Sequence, residues 1–180
     1  METNPKVGVA TCRVELGDGA LDPACHRGFP TPWASLTYFL GLEKLIPASK
    51  LFGRYHMGYM KMDDPHEIDS CSGAFYLVRR EVIDQVGLLD EDYFMYGEDL
   101  DWSYRIKRAG WKIMYYPFVK ITHFKKQSGR DNQNQELKKE TQRHFYEAME
   151  IFYKKHYQNK YPQWLTGLII LAIEIKRRWS

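Results

Sequence analysis

Cysteine is scarce in this chain, and Cys12, Cys25 and Cys71 stand at spacings that match no zinc-binding pattern. The odd number, with no secretory signal ahead of it, implies reduced thiols in a cytoplasmic setting. No glycine-rich phosphate loop, nucleophile elbow or Cys–His couple is present. Internal repeats and low-complexity tracts are also missing. The net charge is only +3, which gives no support to a nucleic-acid partner. The apolar run after Pro162 is about 12 residues, short of the roughly 20 that span a bilayer.

Aromatic residues are plentiful. They make up 15% of a chain of 180 residues that is 44% hydrophobic, enough for a core, and include 13 Tyr and 5 Trp. Such rings bury apolar area and keep a polar tip, which suits clefts for sugars or nucleotides as well as an ordinary core.

Val7 to Val14 is apolar and β-rich and predicts a buried strand, followed by a punctuated loop from Gly17 to Pro32. Leu36, Phe39, Leu40 and Leu45 predict a helix over Trp33 to Ile46. Gly53 to Pro65 has weak strand character, and Ile68 to Val78 reads as a strand region interrupted by Ser70 to Ala74. Helices are predicted over Glu81 to Val86 and Glu98 to Ala109, each stopped by a glycine, Gly87 and Gly110. Trp111 to Tyr116 and Val119 to Phe124 read as two strands parted by Pro117. A long helix from Asn134 to His156 precedes Trp164 to Trp179, whose basic end and flanking tryptophans predict a helix lying in a membrane interface or a truncated span. A core helix docking at the end of the domain is the competing reading of that segment.

The densest chemistry lies in Tyr93-Phe94-Met95-Tyr96-Gly97-Glu98-Asp99-Leu100-Asp101-Trp102, with three carboxylates in four residues. Placed at the start of a helix, Glu98, Asp99 and Asp101 are favoured by the free N–H groups and the dipole. An ionised, oriented carboxylate there can take a proton from a hydroxyl. Charge complementing the dipole explains the same run without catalysis. Asp101 in particular lies at ion-pairing distance in sequence from Arg105. His123 ends a β-rich run beside Lys125, Lys126 and Arg130, which suits a metal ligand near phosphate-binding cations or a structural histidine. Small residues at Ser72, Gly73 and Ala74 would let a ligand approach the backbone.

In order and spacing, Ser72 to Arg80, Val86 to Phe94, Gly97 to Arg105 and Ala109-Gly110-Trp111 resemble family 2 glycosyltransferases, most of all the rhamnosyltransferase-like members. The resemblance extends from Asn4 to Tyr157. It implies an α/β chain with a partial GT-A fold, a mixed, mostly parallel sheet flanked by helices, with further helices at the C-terminus. Residues 1–132 would be the acceptor-side part of the glycosyltransferase domain, and 133–180 a helical region at the membrane interface.

The implied activity is inverting transfer of a sugar, rhamnose among the candidates, from a nucleotide-diphosphate donor to a cell-wall or polysaccharide acceptor. The resemblance makes Asp99 the general base, with Glu98 shaping the acceptor or donor site. Ser72, Gly73 and Ala74 would lie near the donor sugar, Trp102 and Asp101 near substrate, and His123 on Mg²⁺ or Mn²⁺. The family's βαβ nucleotide-binding half and its Asp-x-Asp motif precede the segment that Asn4 to Val7 matches, so donor binding is expected to need that half. Val7 to Val14 is then expected to be an open sheet edge that promotes self-association. The expected partners are a nucleotide-sugar donor, a glycan or polyprenyl-linked acceptor and the membrane surface, with no nucleic acid. The expected location is cytoplasmic, peripheral to the inner face of the cell membrane. A truncated, non-catalytic module that docks on a membrane or on a partner glycosyltransferase is the alternative.

Overall fold

In a computed structural model, which describes residues 1–124 and 135–178, the chain divides into two compact units. One comprises Met1–Leu89 and Trp102–Phe124, the other Asp90–Asp101 and the described residues 135–178.

The first unit is built on a four-stranded mixed sheet in the order β2-β4-β1-β3. Strand β1 (Val7–Leu16) runs parallel to β4 (Lys112–His123), whereas β2 (His66–Ile68) and β3 (Leu77–Val78) pair antiparallel with β4 and β1. Every residue from Val7 to Cys12 is buried, as expected of a strand covered on both faces. Val9, Cys12, Ile68, Val82, Ile106 and Ile113 form the centre of the core. Helix α3 (Arg80–Val86) and the later part of α4 (Glu98–Arg108) supply Val82 and Ile106. Gly8 permits this packing, because a Cβ there would stand 2.7 Å from Val82 and 2.9 Å from Trp111. The glycine stops at Gly87 and Gly110 are both real, with φ of 81° and 92°.

Four expectations change. Strand β1 is interior rather than an open edge, since β4 flanks it on one side and β3 on the other. Beyond the short stretch that β3 pairs, the loop after β1 turns back on the strand, and Leu16 and Asp22 donate to Ala20 and Val14 at 2.7 and 2.8 Å. The two strands around Pro117 are one strand. Its register jumps from Cys12↔Tyr116 to Arg13↔Lys120, so the proline sits in a bulge where its missing N–H costs no ladder bond.

The helix predicted over Trp33 to Ile46 is two, α1 (Pro32–Phe39) and α2 (Leu42–Leu45), parted by Gly41 at φ 72°. They bury Ala34, Thr37 and Glu43, and leave the larger apolar residues outward. Gly53 to Pro65 forms turns rather than a strand. The three cysteines are free and buried, and burial pushes the Cys25 thiol up to about 11.

The second unit pairs α5 (Gln135–His156) with α6 (Gln163–Arg178). Tyr153 Oη meets Thr166 Oγ1 at 3.2 Å across the two helices. Among the described residues, no helix is long and apolar enough to cross a membrane.

Candidate active site

Helix α4 begins after two residues in the left-handed region, Tyr96 at φ 67° and Gly97 at φ 85°. For tyrosine this conformation carries a cost on the order of 1 kcal/mol. At Gly97 a side chain would also be crowded, its Cβ 3.0 Å from the Tyr93 ring and 3.2 Å from Ala148. This strained entry sets the direction of the helix and places Glu98, Asp99 and Asp101 in its first turn. Asp101 N closes the turn by donating to Gly97 O at 2.8 Å.

The three carboxylates separate by burial. Asp101 is fully buried and its Oδ1 lies 2.6 Å from His156 Nε2, on the last residue of α5. Glu98 and Asp99 are only half-buried. Upstream of this turn, Lys155 bonds to Asp90 and reaches Asp92 at 2.7 Å, and its hydrogen bond holds the Asp90 carboxyl below its ordinary range. The ion pairs to Lys155 and the bond to His156 tie the 90–101 segment to α5. His156 was absent from the residues singled out in the sequence, and no local spacing points to a partner 55 positions away.

The remaining sequence-predicted residues lie in the first unit. Ser72, Gly73 and Ala74 form a turn in which Ser72 Oγ accepts from Ala74 N at 3.2 Å. Thr11 of β1 pins that turn by donating to Phe75 O at 2.9 Å. Gly73 is exposed, and a Cβ there would meet nothing within 4 Å, so its backbone is open to approach. Trp102 is buried in the core, stacked on Tyr76 with ring centroids 5.0 Å apart, and its indole N–H donates to Gly87 O at 2.8 Å. Tyr76 Oη in turn meets Ser103 Oγ at 3.1 Å.

His123 Nδ1 lies 3.3 Å from Oδ2 of the fully buried Asp22, whose other oxygen accepts from Ala24 N at 2.9 Å. A carboxylate on Nδ1 orients the ring and leaves Nε2 to act as a ligand. Yet among the described residues no group of three His, Cys, Asp or Glu side chains is arranged to hold a metal. The residues present therefore do not by themselves fit a divalent-cation centre. Lys125, Lys126 and Arg130 lie outside the described residues.

Three further histidines, which show no ligand spacing in the sequence, converge in the first unit. His26 Nδ1 meets His56 O at 3.0 Å, its Nε2 meets His66 Nε2, and His56 Nδ1 lies 3.3 Å from Glu43. Burial, reinforced by His66, pushes His26 down to about 4. It is held as a neutral ring.

Comparison with known proteins agrees with this framework. The family described as glycosyltransferase like family 2 matches residues 4–147. An N-acetylglucosaminyl-diphospho-decaprenol L-rhamnosyltransferase of Mycobacterium tuberculosis is 49% identical over 61 residues, 33% of this chain and 20% of that protein. A rhamnosyltransferase of Escherichia coli is 39% identical over 57 residues, 32% of this chain and 22% of that protein. A low-salt glycan biosynthesis hexosyltransferase of Haloferax volcanii is 28% identical over 94 residues, 52% of this chain and 27% of that protein. The matched stretches thus span between a fifth and just over a quarter of these relatives. No solved structure matches the chain.

Proposed function

The chain belongs to glycosyltransferase-like family 2, and from that premise we propose that it is the acceptor-side portion of an inverting sugar transferase. The observation that carries the proposal is the division of labour in the first turn of α4: Asp101 is buried against His156, while Asp99 stays half-exposed at a helix start that favours a carboxylate. In this reading Asp99 accepts the proton of the acceptor hydroxyl as that oxygen bonds to the anomeric carbon. The bond from the anomeric carbon to the diphosphate oxygen breaks on the opposite face, and the configuration inverts. Glu98 shapes the sugar-binding surface beside it. The open turn at Ser72, Gly73 and Ala74 lies against the donor sugar, and Trp102 and Asp101 hold their segments in place for substrate.

The donor is a nucleotide-diphosphate sugar, with rhamnose favoured by the names of the mycobacterial and Escherichia coli relatives. The acceptor is polyprenyl-linked, a class suggested by the decaprenol in the mycobacterial name. Mg²⁺ or Mn²⁺ enters only as a requirement on the complete protein, with His123 as one ligand. Residues 133–180 form a membrane-interfacial region, supported by the outward stripe Trp164, Leu168, Leu171 and Ile175 beside Lys176, Arg177 and Arg178. In this reading the protein works at the inner face of the cell membrane. The same stripe favours a second reading, a non-catalytic module that docks through α6.

The test is Asp99→Asn in the intact protein, with transfer from dTDP-rhamnose and UDP-sugars followed alongside thermal melting. The expected result is a loss of about 10²- to 10⁴-fold in turnover with an almost unchanged melting temperature. Normal turnover would exclude Asp99 as the base. Absence of any transfer or donor binding by the unmodified protein would favour the docking module.

A further inference from the structure

In the first unit, the residues that a helical pattern would send inward face solvent. Leu36, Phe39, Leu40, Leu45, Ile46 and Leu51 are all exposed, Leu40 by 63% and Leu45 by 77%. The platform beneath them is firmly built. Trp33 Nε1 donates to Leu51 O at 2.9 Å, α1 packs against α2, and Gly53 sits so close to Pro47 O that a Cβ would stand 2.3 Å from it. The apolar side chains are therefore presented by a fixed backbone.

The charges next to them in the chain are mostly basic, with the exposed Asp63 and Asp64 only at the far end of the segment. Between Thr31 and Met62 the only carboxylate is Glu43, and it is buried, accepting from His56 N at 2.7 Å. The cations of the same stretch, Lys44, Lys50, Arg54 and Lys61, are exposed. Exposed apolar residues with Lys44 and Lys50 beside Leu45 and Leu51, and with Glu43 turned inward, complement a layer whose interior is apolar and whose surface is negative.

We propose that the α1–α2 face docks on an anionic bilayer, inserting Leu40, Leu45 and their neighbours into the interfacial layer while Lys44 and Lys50 meet lipid phosphates. The proposal rests on this surface alone and stands apart from the sugar-transfer reading and from α6.

Flotation of the full chain with phosphatidylcholine vesicles, with and without phosphatidylglycerol, tests it. To isolate this face, the assay runs in a background carrying Leu168→Asp and Leu171→Asp on α6. Residual binding to the anionic vesicles is expected, weakened by added salt. Leu40→Asp with Leu45→Asp should lower it by about tenfold or more, and Lys44→Glu with Lys50→Glu by a similar factor. All four positions are exposed, so melting temperature and circular dichroism should hold. If the leucine variant melts early, the lysine variant carries the test. Unchanged partitioning in the lysine variant overturns the proposal. So does a dimer seen by sedimentation that both variants dissociate while vesicle binding persists, which would make a second copy the occupant.

Discussion

The opening turn of α4 and the histidine cluster around His26 both bury groups that can carry charge, and they solve the problem in opposite ways. Asp101 is fully buried and answered by His156 at 2.6 Å. His26 is equally inaccessible but is kept neutral, its Nδ1 bonded to a backbone carbonyl. Pairing makes stability depend on one distant partner, whereas neutralisation makes it depend on pH. The difference also marks where function is expected. Asp101 is anchored in the helical turn that also carries Asp99, the proposed base, whereas the histidine cluster joins the loops at His26 and His56 to His66 of β2.

The comparison breaks most sharply at Asp101. Asp101→Ala leaves His156 facing a cavity and is expected to cost about 3–5 kcal/mol in denaturant unfolding. Adding His156→Phe should recover part of that loss, and strictly additive effects would mean that the two side chains do not hold each other.

The histidine cluster responds to acid instead. His26 titrates near 6.5 when unfolded and near 4 when folded. Between those values the unfolded chain takes up a proton that the folded chain refuses. Stability is therefore full above about pH 6.5 and falls toward pH 4, by about 3 kcal/mol in all. His26→Gln should flatten the slope measured by pH-dependent melts, and a slope of the same size in that variant would assign it to other groups.

Gly97→Ala sharpens the first half of the comparison. It forces a side chain into a left-handed residue against Tyr93 and Ala148, and about 1–2 kcal/mol should be lost in thermal melts. The smallest effect belongs to Lys155→Ala, whose pairs with Asp90 and Asp92 lie near the surface. Less than about 1 kcal/mol is expected, vanishing in high salt.

Much of this was legible in local sequence. The carboxylate-rich start of α4 and the stops at Gly87 and Gly110 follow from short-range rules, and the buried run of β1 shows as unbroken apolar residues. The helix over Trp33 to Ile46 failed for an instructive reason. Its periodicity was genuine, but Ala34 and Thr37 rather than the leucines face inward, so one stripe of apolar residues misidentified the buried side. Pro117 misled in a similar way, because a proline that breaks an isolated strand is tolerated once a bulge absorbs its missing donor.

By itself the sequence determined the strand at β1, the helices α3, α4, α5 and α6, which turn gathers the carboxylates and to which family the motifs belong. Each depends on residues within a few positions of one another. The tertiary structure decided that Asp101 is held by His156, that His26, His56 and His66 meet, that β1 lies inside its sheet and that the α1–α2 leucines face outward. Those facts depend on which distant segments pack together. Sheet register and helix docking set that packing, and no local pattern encodes it.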